Sequence, residues 1–154
     1  MTQALLRTFD FLSEVMPREP SWRVIGSAAL WLSGVPVVPD PTDVDVVAPF
    51  EVIESVRKAL QVSLPDAARP DERFRSHPFF QYRPDGGVMI DFMGDLEVFS
   101  GEWKCLRFES FVSMSGVFVP DLNEQMTILR RFGRPKDLQR IEAVQVFLSD
   151  SSCG

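Results

Sequence analysis

The run Thr42-Asp43-Val44-Asp45-Val46-Val47 constrains this chain more than any other stretch, because it sets two acids inside a β-branched segment. Val44, Val46 and Val47 read as a buried strand. Successive strand side chains point to opposite faces, so Asp43 and Asp45 share one face about 7 Å apart along the strand. Two carboxylates so placed repel each other and are costly to bury unless a cation or hydrogen-bond donors neutralise them. Hard divalent cations take carboxylate oxygens, and paired metal ions can clamp the attacking and leaving oxygens of phosphoryl transfer. A solvated strand rim is the alternative reading of an isolated Asp-x-Asp. The upstream run Val24-Ile25-Gly26-Ser27, followed by apolar residues to Gly34, weighs against it. Gly26 lets backbone approach a ligand closely, and Ser27 stands at the amino end of a helix over Ala28–Ser33. Free N–H groups and the helix dipole at that end favour an anion such as phosphate.

The remaining elements follow from periodicity and turn chemistry. Leu5, Leu6, Phe9, Leu12, Val15 and Met16 recur at helical spacing, and Pro17 ends that helix. Gly34 to Pro41 is a proline-rich connection. A helix is expected from about Glu51 to Gln61, then a loop over 64–78. Phe79–Tyr82 and Val88–Phe92, joined by Pro84-Asp85-Gly86-Gly87, form a hairpin. Short strands are expected at Glu97–Phe99 and over Phe111–Val119, the latter bent at Gly116. Helices from Leu122 to Phe132 and from Lys136 to Leu148 close a single domain, residues 1–148, with Pro135 in the first turn of the second helix. Residues 149–154 are expected to be a disordered tail. The pattern is α+β: a mixed sheet with helices on one side.

Composition narrows the functional classes. At 154 residues the chain is one domain by size. No run approaches a membrane span, and the amino terminus lacks the order of a secretory signal, so a cytoplasmic protein without membrane partners is expected. The net charge of −6 argues against non-specific binding to DNA, although a metal ion can supply positive charge locally to a nucleotide. Cys105 and Cys153 are expected to be free thiols, and the single histidine, His77, a loop residue before Pro78. The basic residues Arg130, Arg131, Arg134, Lys136 and Arg140 scatter over more than one helix face; a solvated surface and contacts to phosphate or RNA both remain open. Trp31, Phe79, Phe80 and Phe92 read as core.

The order Gly-Ser, apolar helix, Gly, then Thr-x-Asp-hydrophobic-Asp resembles the signature of the nucleotidyltransferase (DNA polymerase β-like) superfamily. Within it, the likeness is to the minimal nucleotidyltransferases and the AbiEii-type toxins, and it covers roughly residues 20 to 147. The resemblance implies a short, strongly twisted mixed sheet flanked by helices. It also implies a third carboxylate on a later strand, for which Asp91 in Gly87-Val-Met-Ile-Asp91-Phe-Met is the candidate. A helix carrying Gly-Arg-Pro-Lys-Asp is matched by Gly133-Arg134-Pro135-Lys136-Asp137, which implies nucleotide-site roles for Lys136 and Asp137, first-turn helix positions being the plainer reading. By this resemblance Asp43, Asp45 and Asp91 would hold Mg2+ or Mn2+, Gly26 and Ser27 would cradle phosphates of a nucleoside triphosphate, and Asp91 would serve as general base. The implied acceptor is a hydroxyl of a protein, an RNA or a small molecule such as an aminoglycoside. A toxin–antitoxin partner, and a non-catalytic nucleotide-binding or antitoxin module of the same fold, are the other settings it implies.

Overall fold

The computed structural model describes residues 2–64 and 71–152. The elements are α1 (Thr2–Val15), β1 (Arg23–Ile25), α2 (Ser27–Leu32), β2 (Asp43–Ala48), α3 (Phe50–Ala59), β3 (Phe74–Arg75), β4 (Phe79–Tyr82), β5 (Met89–Gly94), β6 (Glu97–Phe99), β7 (Trp103–Cys105), β8 (Val112–Met114), β9 (Val117–Val119), α4 (Leu122–Phe132) and α5 (Pro135–Ser152). The main sheet has the order β1-β2-β5-β4. β2 and β5 run parallel at its centre, while β1 and β4 flank them antiparallel. A three-stranded sheet, β3-β6-β7, and the β8–β9 hairpin complete the strands.

The two faces of β2 are distinct. Val44, Val46 and Ala48 enter a core with Ile90 and Phe92 of β5, closed by Leu5, Phe9 and Leu12 of α1, Ala28 and Ala29 of α2, and Ile53 and Val56 of α3. Phe80 and Phe92, cross-strand partners, stack there with ring centroids 4.6 Å apart. Such a pair adds about 0.5–1.5 kcal/mol beyond its buried area. Thr8, wholly buried in α1, donates its hydroxyl to the Ala4 carbonyl and accepts from the Val88 amide at 2.9 Å, which ties α1 to the start of β5. The opposite face of β2 carries Val47 into a second core with Ile25, Val98 and Leu106, sealed by Ile128 and Phe132 of α4. Helices therefore lie on both faces of the sheet, where the sequence pattern places them on one. The reason is that α4 has its own apolar stripe and finds uncovered sheet beside Ile25 and Val47.

Boundaries depart from expectation in three places. β3 lies within the stretch expected to be loop, and residues 65–70 of that stretch, like Cys153, fall outside the described residues. β7 adds a strand beside β6, too short to carry a period of its own. α5 continues through Ser152, beyond Leu148, so residues 149–152 belong to a helix rather than a disordered tail.

Candidate metal and nucleotide site

β2 and β5 bring the acids together by register. Asp45 is the cross-strand partner of Asp91 in the parallel pair, and Asp43 lies two residues back on the same face. Oxygens of Asp43, Asp45 and Asp91 all lie within 4.8 Å of one another. Asp43 is exposed, whereas Asp45 and Asp91 are half-buried. Among the described residues, no lysine or arginine makes an ion pair with any of the three.

That arrangement has a cost. Burial, then the charges of Asp43 and Asp91 and a hydrogen bond shared with Asp91, push the Asp45 carboxyl up to about 7. Lys136, at the start of α5, opposes the shift and so lies within electrostatic reach of Asp45. Asp91 is also held from the other side, where Gln81 Nε2, its partner in the β4–β5 hairpin, donates to Asp91 Oδ1 at 2.7 Å. Gln81 was not read from the sequence. Counting out from the turn Pro84–Gly87 sets Gln81 opposite Ile90, and the actual register, shifted by one residue, sets it opposite Asp91. Three oxygen donors clustered without a cationic partner suit a hard divalent cation, which would remove the repulsion that raises the Asp45 pKa.

The Gly26 turn closes the site from β1. Ile25 pairs with Asp45, and Gly26 then takes φ 76° and ψ −152° before α2 begins at Ser27. A Cβ at Gly26 would stand 3.3 Å from Asp45 Oδ2, so the turn passes directly against the acid. Ser27 is half-buried in the first position of α2. Gly26, Asp43, Asp45 and Asp91 thus converge, with Lys136 at their edge.

Asp137 is placed differently. Its side chain is wholly buried; it accepts from the Arg134 amide at 3.1 Å and from Arg134 Nε at 2.6 Å, and Arg140 approaches at 3.8 Å. It presents no surface to a ligand. Its part is to lock the turn between α4 and α5, which Gly133 enters with a φ of 67°, and so to fix where Lys136 extends. His77 is likewise remote from the acids in its contacts: its amide bonds the Gly94 carbonyl and its ring lies 5.5 Å from that of Phe50. Cys105 is a free, exposed thiol, as expected.

No protein-family model matches the chain, and no curated protein sequence matches it. Among solved structures, a Thermotoga maritima protein assigned provisionally as a nucleotidyltransferase superposes with a TM-score of 0.68 at 24 % identity. The superposition covers 94 % of this chain and 92 % of that one. At this identity the likeness speaks for the fold, and the acids add the chemistry of their own arrangement. No helix of the described residues is long and apolar enough to cross a membrane. A mixed sheet flanked by helices, matched along nearly its whole length by that neighbour, gives this chain the nucleotidyltransferase-like fold.

Proposed function

We propose that the chain is a metal-dependent nucleotidyltransferase that moves a nucleoside monophosphate from a nucleoside triphosphate to a hydroxyl acceptor. The convergence of Asp43, Asp45 and Asp91 on one face of two parallel strands is the observation that carries this reading. Mg2+ or Mn2+ bound by these carboxylates would neutralise phosphate charge and polarise the α-phosphorus. Asp91, oriented by Gln81, accepts the proton of the acceptor hydroxyl. The hydroxyl oxygen bonds to the α-phosphorus as the bond to the bridging oxygen breaks, and pyrophosphate leaves. Backbone N–H groups at Gly26 and Ser27 meet phosphate oxygens, and Lys136 balances the charge of the outer phosphates. Positioning and charge neutralisation dominate such transfers, so few polar groups suffice.

The acceptor in this reading is a protein, RNA or small-molecule hydroxyl. Its narrower form is the AbiEii-type toxin with an antitoxin partner, for which growth arrest on expression should require Asp43. The test of the main reading is calorimetric titration of ATP, GTP, CTP and UTP with magnesium into wild type and Asp43→Asn/Asp45→Asn, followed by transfer of an α-phosphate label. Binding of a triphosphate that needs metal and is lost in the variant, with label transferred, supports it. Binding without turnover under any metal would replace it with the non-catalytic nucleotide-binding module. No binding at all would make the acids structural.

A further inference from the structure

Among the described residues, this acidic chain carries a concave basic surface beside the Trp103 and Phe99 rings. An open groove of about 580 Å³ is lined by Lys104 and Cys105 of β7, Arg107 just beyond it, and Arg131 in the last turn of α4. That volume is in the range of ligand clefts. The groove is built rather than incidental, because Arg131 Nη2 donates to the Lys104 carbonyl at 3.1 Å and joins the edge strand to the helix. Among the described residues, Arg107 and Arg131 have no ion pair. Lys104 has only an exposed pair with Glu102, of a kind worth about 0–1 kcal/mol.

On the same hairpin, Phe99 and Trp103 are cross-strand partners with ring centroids 5.3 Å apart, and Phe99 is 44 % exposed. The Arg75 guanidinium lies 4.3 Å from the Trp103 ring centroid. The guanidinium, held by Glu97, covers Trp103, and the Trp103 and Phe99 rings, tilted 53° to each other, lead out to the exposed face of Phe99. Cations beside stacking rings are what a single-stranded nucleic acid requires, phosphates for the first and base faces for the second. A duplex hides its base faces, and an acidic peptide has no use for the rings. The hairpin is joined to the acid-bearing strand through its inner face: Val98, whose side chain points away from that of Phe99, packs with Val47, two residues beyond Asp45.

We infer that the β6–β7 hairpin and the end of α4 bind a single-stranded nucleic acid, and that this strand is the acceptor. The second clause rests on the transferase reading above; the first does not. The experiment is fluorescence anisotropy of short single-stranded RNA and DNA oligonucleotides of mixed sequence against the full chain over a range of salt. Phe99→Ala is expected to weaken binding by about tenfold, the loss of one stacked base, without changing the salt dependence. Arg107→Ala is expected to weaken binding and to lower the slope of log K against log salt by about 0.7, the loss of one phosphate contact to a single strand. Both positions are exposed, so thermal melts should match wild type; Trp103→Ala serves as a second stacking variant. Tighter binding of RNA than DNA would name the acceptor as RNA, and the reverse would name DNA.

Absence of binding to either oligonucleotide at low salt overturns the inference. So does binding that Phe99→Ala and Trp103→Ala leave unchanged and that an acidic peptide competes away equally well, which would make the groove a site for acidic protein. Asp43→Asn should bind the oligonucleotides as wild type does. Binding by wild type without label transfer under any metal would sink the catalytic reading alone, and transfer by wild type to other acceptors without oligonucleotide binding would sink only this one.

Discussion

At Gly26 the backbone lies in a region that side-chain-bearing residues almost never occupy, with Asp45 Oδ2 close to where a Cβ would be. Gly26→Ala is therefore expected to cost about 1–3 kcal/mol through backbone strain. It should also weaken triphosphate binding, because the displaced neighbour is a site carboxylate. Urea denaturation and calorimetry of the same sample measure both, and an unperturbed affinity would separate the turn from the site. At this scale the sequence was readable where chemistry is carried by type and spacing. Asp43 and Asp45 stood out as acids in a β-branched run, and Gly26 as the break before an apolar helix. Asp137 was readable only as a residue of the Gly133–Asp137 element. Whether a first-turn aspartate faces a ligand or its own arginine depends on the rotamer of Arg134, three residues before it, and no pattern of types decides that.

Helix and strand partnerships show a similar division. The β4–β5 hairpin, the bend at Gly116 between β8 and β9, and α4 were legible, since each has turn or cap chemistry at its ends; Asp121, for example, caps α4 by accepting from the Glu124 amide. β3 and β7 were not, because two or three residues cannot establish a period and their pairing with β6 is set by tertiary packing. Two substitutions test how elements are tied together. Thr8→Val should destabilise by about 1–3 kcal/mol by stranding the buried Val88 amide, measured by chemical denaturation. Asp137→Asn should cost a similar amount, about 1–3 kcal/mol, since Arg134 and Arg140 are each partly solvated and lose less than a fully buried partner would. It should also lower triphosphate affinity through the loosened position of Lys136. Stability lost with affinity intact would mean that the turn and the lysine are uncoupled.

For the molecule as a whole, the raised pKa of Asp45 ties folding to pH and to metal. Its folded value, about 7, lies above the ordinary 3.8, so the contribution it makes to stability is complete below 3.8 and is lost as pH rises through about 7. Above that window the metal-free protein carries a charged carboxylate among two others. A divalent cation should then raise the melting temperature at about pH 8 and do so far less at about pH 5, where protons compete for the site. At a hundredfold excess over Kd the gain is about 2.7 kcal/mol, which for a chain of this size is several degrees. Asp45→Asn should melt above wild type in the presence of chelator at about pH 8 and gain little from metal. Equal metal shifts at both pH values, or a variant less stable than wild type in chelator, would remove the carboxylate cluster as the cause. The α+β class and a mixed sheet with helices on one side were legible from the order of elements, whereas the second core on the acid face, and the helix that covers it, were not. That core is assembled from Ile25, Val47, Val98, Leu106 and α4, residues distant in sequence whose meeting no local pattern announces.

Along β2, side chains alternate between the first core and the acid face, and that face itself passes from Asp43 and Asp45 to Val47. A slip of one residue against β5 would drive both aspartates into the apolar core and turn Val44 and Val46 to solvent. Misfolding and loss of the site are thus one event. A molecule that has threaded this strand wrongly has no stable form in which to persist, so the folding reaction itself screens out copies with a faulty centre, and any that survive long enough to meet a ligand already carry their acids in frame.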